Sequence, residues 1–247
     1  MARSMDTHAT GTGAAHVAVW DVPVRLFHWG LVIAIVSAWL SIQYAEVLGD
    51  PTMKWHRYNG YAIMVLVVFR LIWGFVGSST ARWSSFVRWP WQAAGYALDL
   101  VRGRDRKFLG HNPLGTYMIL ALLAGVAAQS VLGLFVVEYN ETTWGPLYKL
   151  VPAAAQKLAR RWHLWGLYWV ILPLIAAHIA ANIAYGMLKR DPLIAAMVTG
   201  RKPADSYEDA PAAVMARNVA LRALAALALA LAIVFGTLKI LGGAVFY

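Results

Sequence analysis

Residues 26–45 read LFHWGLVIAIVSAWLSIQYA, twenty consecutive positions without a formal charge. At 1.5 Å per residue such a run forms a helix of about 30 Å, the thickness of a bilayer's hydrocarbon core. Four further stretches repeat the pattern: 58–81, interrupted only by Arg70, then 108–137, 162–188 and 223–238. The spans within the two longest runs fall near 114–137 and 163–187. The last run is short, but Arg222 and Lys239 at its ends can snorkel, which extends the helix to about 218–241. None of the five alternates with the two-residue period of a barrel strand. Composition agrees: 60 % of the 247 residues are hydrophobic and 14 % charged, against roughly 25 % charged in a soluble chain. So few charges cannot clothe a water-facing surface. The fold expected is an all-α integral membrane protein, a four-helix transmembrane bundle followed by a fifth C-terminal transmembrane helix.

The net charge of +10 would suggest nucleic acid in a soluble protein; in this one it reflects topology and anionic headgroups, and no nucleic-acid partner is expected. With the N-terminus, the 82–113 loop and the 188–217 loop on one side, that side holds fifteen Lys and Arg against seven on the other. The positive-inside rule then places the N-terminus in the cytoplasm and the C-terminus outside. Residues 1–20 are polar, lack a signal-peptide pattern and read as a mobile tail. Segment 83–101, rich in Trp and Tyr, reads as a helix lying in the interface, with the basic Arg102–Lys107 cluster over anionic lipid.

Seven histidines are present. His8 and His16 fall in the tail, and His111, in Gly110-His111-Asn112-Pro113, reads as a capping or interfacial residue. The other four lie in or at the edges of spans, where an ionisable group is costly. His163 and His178 are fifteen residues apart in the fourth span, about 22 Å along the axis and roughly 60° around it. They share a face, one near each membrane boundary. Because adjacent spans are antiparallel, His28 lies level with His178 and His56 level with His163. Two histidine pairs stacked across the bilayer suit low-spin b-type haem, whose iron takes two axial imidazoles. Zinc would want four ligands, and no Cys, Asp or Glu stands at those depths; a proton relay would want intramembrane carboxylates. The absence of cysteine also excludes disulfides, iron–sulfur clusters and covalent c-type haem. Hydrogen-bonded structural histidines are the alternative.

Haem propionates call for arginine. Arg70 lies fourteen residues after His56 and about 40° off its face, and Arg25 stands three before His28. On the outer side Lys54, Arg57, Arg160 and Arg161 surround the upper pair, with interfacial snorkelling as the other reading. Arg57 and Arg161 are the outer candidates for cofactor contact. Gly60 and Gly166, four and three residues after a pair member, leave room for a flat macrocycle or simply let helices approach. Pro173 is expected to kink the fourth span.

Several motifs resemble the bacterial cytochrome b561 family, which includes the b-type cytochrome subunits of nickel–iron hydrogenases. They are Val19-Trp20-Asp21-Val22-Pro23-Val24-Arg25-Leu26-Phe27-His28-Trp29, His56-Arg57-Tyr58-Asn59-Gly60-Tyr61, Phe69-Arg70-Leu71-Ile72-Trp73-Gly74, Gly110-His111-Asn112-Pro113-Leu114-Gly115 and Ala196-Met197-Val198-Thr199-Gly200-Arg201-Lys202. The resemblance runs from about 19 to 202. It implies a four-helix core, two non-covalent b haems with ligands His28, His56, His163 and His178, and quinone-linked electron transfer in the bacterial inner membrane. The chain then divides into the tail 1–20, a diheme core 21–190, a cytoplasmic linker 191–217 and the fifth helix 218–247, which lies beyond the family core.

The function expected is electron transfer across the bilayer between the quinone pool and a periplasmic redox protein, a c-type cytochrome or a hydrogenase-like subunit. The outer loop 138–162, with Trp144, Lys149, Lys157, Arg160 and Arg161, is its expected docking site. Lipid surrounds the spans, and an oligomer is compatible with the sequence. One alternative is a stand-alone quinone reductase using a small anion such as superoxide, steered by the outer cations. Another, non-redox, is a transporter or scaffold that uses the histidines for packing or proton handling.

Overall fold

The computed structural model describes residues 15–50, 53–104, 106–138 and 143–242; His8 lies outside them. Helix α1 (Val22–Gln43) begins at Asp21, whose Oδ1 accepts from Val24 N at 2.9 Å, and Pro23 sits in its first turn, where no N–H is needed. α1 returns as α2 (Lys54–Val76), and the two form an antiparallel pair that buries Ala34 and Ala38 against Ile63 and Val67. Two short interfacial helices follow, α3 (Trp83–Phe86) and α4 (Pro90–Val101). The sequence suggests one helix over 83–101, but Pro90 lacks an N–H and holds Trp89 extended, so the segment breaks there.

The third span, α5 (Pro113–Gly133), is capped by Asn112, which accepts from Gly115 N at 2.8 Å; the cap belongs to Asn112 and not to its neighbour His111. The fourth span is one rod, α6 (Ala153–Gly166) and α7 (Leu172–Leu188), joined by a π-helical turn at Leu167–Ile171. Pro173, just beyond it, cannot donate into the α ladder, and the wider turn relieves the conflict. The fifth span, α9 (Val219–Ile240), packs on α2 through Ala226, Ala230, Val234 and Leu238, one residue per turn. With α1 on one side and α9 on the other, α2 is the most enclosed helix and the fourth span the least. All five are long and apolar enough to cross a membrane.

We call the end of the bundle where α1 starts proximal and the other distal. The proximal end is covered by folded chain. Residues His16–Ala18 (β1) pair antiparallel with Arg201–Pro203 (β2), and Val19 and Trp20 are buried. The expected tail therefore ends earlier: residues 16–20 are built into the fold, because Val19 N and Trp20 N both find Gly200 O, at 2.8 and 3.2 Å. Gly200 has φ +80°, and a Cβ there would meet Trp20 O at 2.8 Å. The 191–217 segment is likewise folded, through α8 (Leu193–Thr199), β2 and a short 3₁₀ turn. Its acidic residues hold the basic loop expected to face lipid. Arg106 makes a two-pronged pair with Glu208 at 2.8 Å, Lys107 pairs with Asp205 at 2.6 Å, and Asp209 accepts from Leu109 N and Gly110 N. Arg104 and Arg106 also reach Asp99. Lys202 is fully buried, donating to Phe108 O and pairing with Asp191 at 2.8 Å.

Candidate functional site

Four histidine rings from three spans meet in two pairs. At the proximal end His28 of α1 and His178 of α7 have ring centroids 6.4 Å apart, with ring planes at 48°. At the distal end His56 of α2 and His163 of α6 are 6.1 Å apart, with planes at 89°. Two metal–nitrogen bonds of about 2 Å, plus the step from each nitrogen to its ring centre, add to roughly 6 Å. Both pairs therefore stand where two imidazoles can share one metal ion on opposite sides.

The distal pair is prepared for this role by its second ring nitrogens. His56 Nδ1 lies 3.0 Å from Ala38 O and His163 Nδ1 2.9 Å from Gln129 O. A carbonyl only accepts, so both Nδ1 atoms carry the proton and both Nε2 lone pairs are left for a ligand bond. Gln129 also donates from Nε2 to His163 O at 2.7 Å, clamping that residue from both sides. Gly133, one turn on, lets the ring in: a Cβ there would come within 3.2 Å of His163 Cε1. Sequence reasoning passed over Gln129 and Gly133, although a lone glutamine in an apolar span was a visible signal. In the proximal pair, Asn182 donates to His178 O at 2.7 Å and stands 3.3 Å from its Nε2.

The surroundings fit a flat macrocycle. The fourth span packs chiefly on α5 and only sparsely on α1 and α2, so the paired rings are not clamped in a close helix–helix seam. Three buried polar atoms at the proximal end have no partner among the described residues: His28 Nδ1, Arg25 Nε and Arg70 Nη1. Buried unpaired guanidinium nitrogens are costly, and an anionic propionate would satisfy them. Arg70 is buried under Trp83, 4.5 Å from its ring centre, within electrostatic reach of Asp21. Arg25 commits Nη1 to Val198 O, so only part of its fork is available. Among the described residues no cluster of three or more His, Asp or Glu is placed to hold a metal ion.

The remaining candidates divide. Gly60 has open space where a Cβ would lie, whereas Gly166 faces Gln129 Oε1 at 3.1 Å. Arg57 is half-buried beside His56. Arg161 is exposed, two residues and about 200° round the helix from His163, so it points away from the pair. Arg160 is held by Glu138 at 3.0 Å. His111 pairs with none of the four: its ring packs on Trp20 at 4.6 Å and on Phe86 at 5.1 Å. Burial first, then the charges of Arg70 and Lys202, push its pKa down to about 3, so it is a neutral packing group at ordinary pH. Replacing His111 with alanine should therefore leave the ratio to protein of any cofactor held by the two pairs unchanged, while a loss would give His111 a part in holding it.

Residues 19–200 match the family described as prokaryotic cytochrome b561. The probable Ni/Fe-hydrogenase B-type cytochrome subunit of Rhizobium leguminosarum bv. viciae is 25 % identical over 243 residues, covering 83 % of this chain and all of that protein. The protein of the same name from Azotobacter vinelandii is 26 % identical over 211 residues, 74 % of this chain and 87 % of its own length. The probable Ni/Fe-hydrogenase 1 B-type cytochrome subunit of Escherichia coli K12 is 23 % identical over 219 residues, 74 % and 88 % of the two chains. No solved structure matches.

Proposed function

The chain belongs to the prokaryotic cytochrome b561 family, a multi-pass membrane cytochrome of b type, and from that premise we propose that it carries electrons across the bilayer through two b haems, one between each histidine pair. The observation that carries this reading is the spacing of the rings, 6.4 Å and 6.1 Å, at two levels of one bundle. Haem bound between a pair supplies the one-electron chemistry; the chain supplies the rest. His28 and His178 would hold the haem of the proximal site, and His56 and His163 that of the distal one. The Ala38 and Gln129 carbonyls orient the distal imidazoles and raise their basicity. Arg70, with Arg25, holds propionate charge at the proximal end, and Arg57 does so at the distal end. Gly60 leaves the macrocycle its room, and Phe86, Trp83 and Trp20 keep water from the proximal site. In this reading the proximal end faces the cytoplasm of a bacterial inner membrane, since among the described residues it holds fourteen of the 21 Lys and Arg. Dithionite-minus-oxidised spectra and a pyridine haemochrome assay should return two b haems per chain. One haem or none would overturn the assignment.

The family links such bundles to quinone, and the relatives' names attach them to nickel–iron hydrogenases. For this chain we place quinone as the mobile electron carrier in the membrane. At the distal end the partner is a periplasmic redox protein, a hydrogenase-like subunit or a c-type cytochrome. Lys149 and Lys157 are exposed beside the distal pair, whereas Arg160 is already paired. Reversing Lys149 and Lys157 to glutamate should slow electron exchange about tenfold at low ionic strength, and the difference should shrink as salt screens it. Haem content should not change. Stopped-flow rates indifferent to both charge and salt would remove electrostatic docking from this surface.

A further inference from the structure

Beside the α2–α9 seam lies an apolar cavity of about 430 Å³, lined by Tyr58, Tyr61, Ala62 and Val65 of α2 and by Leu231 and Phe235 of α9. Its size falls within the range of ordinary small-molecule sites. Apart from two tyrosine hydroxyls its walls are hydrocarbon and ring. Ala62 and Leu231 are exposed at its mouth, so it opens sideways into the bilayer core. It lies on the side of α2 turned away from the histidine pairs, and one wall belongs to the helix beyond the family match.

The mouth of this groove is charged at one end only. Lys54, Tyr58, Tyr61, Ala62 and Val65 follow one another at spacings of three, four and one on α2, which puts them along one face. α9 runs antiparallel to α2: its first turn is tied to the end of α2 by Arg222 Nη1 donating to Val76 O at 3.1 Å. The Tyr61 and Phe235 rings, 6.0 Å apart, set the register. Four residues further toward the distal end, Lys239 therefore stands about one turn beyond the ring contact. Lys54 lies further along the same end, its ammonium 5.3 Å from the Trp55 ring centre. Lys239 is exposed in the last turn of α9.

A hydrocarbon slot overhung at one end by two cations has the chemistry of one ligand class. We propose that the groove between α2 and α9 binds one acidic glycerophospholipid, with an acyl chain against Tyr61, Val65 and Phe235 and its phosphate between Lys54 and Lys239. A neutral quinone would gain nothing from the cations, and a zwitterionic lipid would bring its own ammonium against them. The lipid then cements the fifth helix to α2. This rests on the five spans and not on the number of haems.

The test uses the full-length protein extracted from its membrane in mild detergent. Native mass spectrometry should find about one phosphatidylglycerol or other acidic phospholipid per chain after washing. Lys239→Glu, which inverts one mouth charge, and Ala62→Phe, which fills the groove, should each lower that occupancy at least fivefold at an unchanged haem-to-protein ratio. In nanodiscs, phosphatidylglycerol should raise the thermal midpoint relative to phosphatidylcholine alone, and both variants should lose that gain. Should Ala62→Phe fail to assemble, the exposed Lys239→Glu decides by itself. Equal retention of the two lipids, retained quinone in place of phospholipid, or occupancy unaffected by Lys239→Glu would each overturn the proposal.

Discussion

Alanine at His28 should remove one of the two proposed haems, and alanine at His178 should remove the same one. The reason is geometric: the two ring centroids stand 6.4 Å apart between α1 and α7, and among the described residues no other imidazole pairs with either. A haem held from one side only loses an axial bond and the burial that came with it. The double variant should therefore look like either single one, a strongly non-additive result. His56→Ala and His163→Ala should behave the same way for the other haem. Combining one substitution from each pair, His28→Ala with His163→Ala, should leave no haem at all. The α-band amplitude in a reduced-minus-oxidised spectrum, scaled to protein, reads this as two, one or zero. If His28→Ala and His163→Ala deplete one common component, the pairing is wrong.

The second large effect is expected at Asp21, which belongs to neither histidine pair. Its buried carboxylate accepts from Val24 N at 2.9 Å, from Trp73 Nε1 at 3.2 and 3.3 Å, and from Ser78 N at 3.2 Å. It caps α1 and at the same time ties that cap to the far end of α2. Asp21→Ala leaves three donors without an acceptor, each costing about 1–3 kcal/mol when buried, and leaves Arg70 without its nearest carboxylate. A total loss of roughly 3–5 kcal/mol follows, which for a chain of this size lowers the thermal midpoint by about 10 °C. Because His28 is two turns along the helix so anchored, the proximal haem should be released first on heating. A midpoint within about 2 °C of the parent would show that packing of Trp20 and Trp73, and not the carboxylate, holds the two helices.

The five spans and the levels of the four histidines were legible because both are local signals. A run such as 26–45 declares a membrane helix without reference to the rest of the chain. The fifteen residues between His163 and His178 translate into height and angle through the helical repeat alone. The same logic misplaced what depends on partners far along the chain. Arg161 has the right charge and proximity to His163 but the wrong side of its helix. Arg102–Lys107 looked like a lipid-facing cluster because two carboxylates that bind it, Asp205 and Glu208, come about a hundred residues later.

By itself, then, the sequence determined that this is a helical membrane protein with five spans and with imidazoles at two depths, since hydrophobic length and helical pitch are properties of single segments. Tertiary structure alone decided what those imidazoles meet. The Ala38 and Gln129 carbonyls that set the distal tautomers lie 18 and 34 residues from the rings they bind. The Asp21 anchor spans 52 residues to Trp73, and Lys202 is buried 94 residues from the carbonyl it serves. Hydrogen bonds and ion pairs are directional and short, so which groups satisfy one another is fixed only when the packing of helices brings them within about 3 Å.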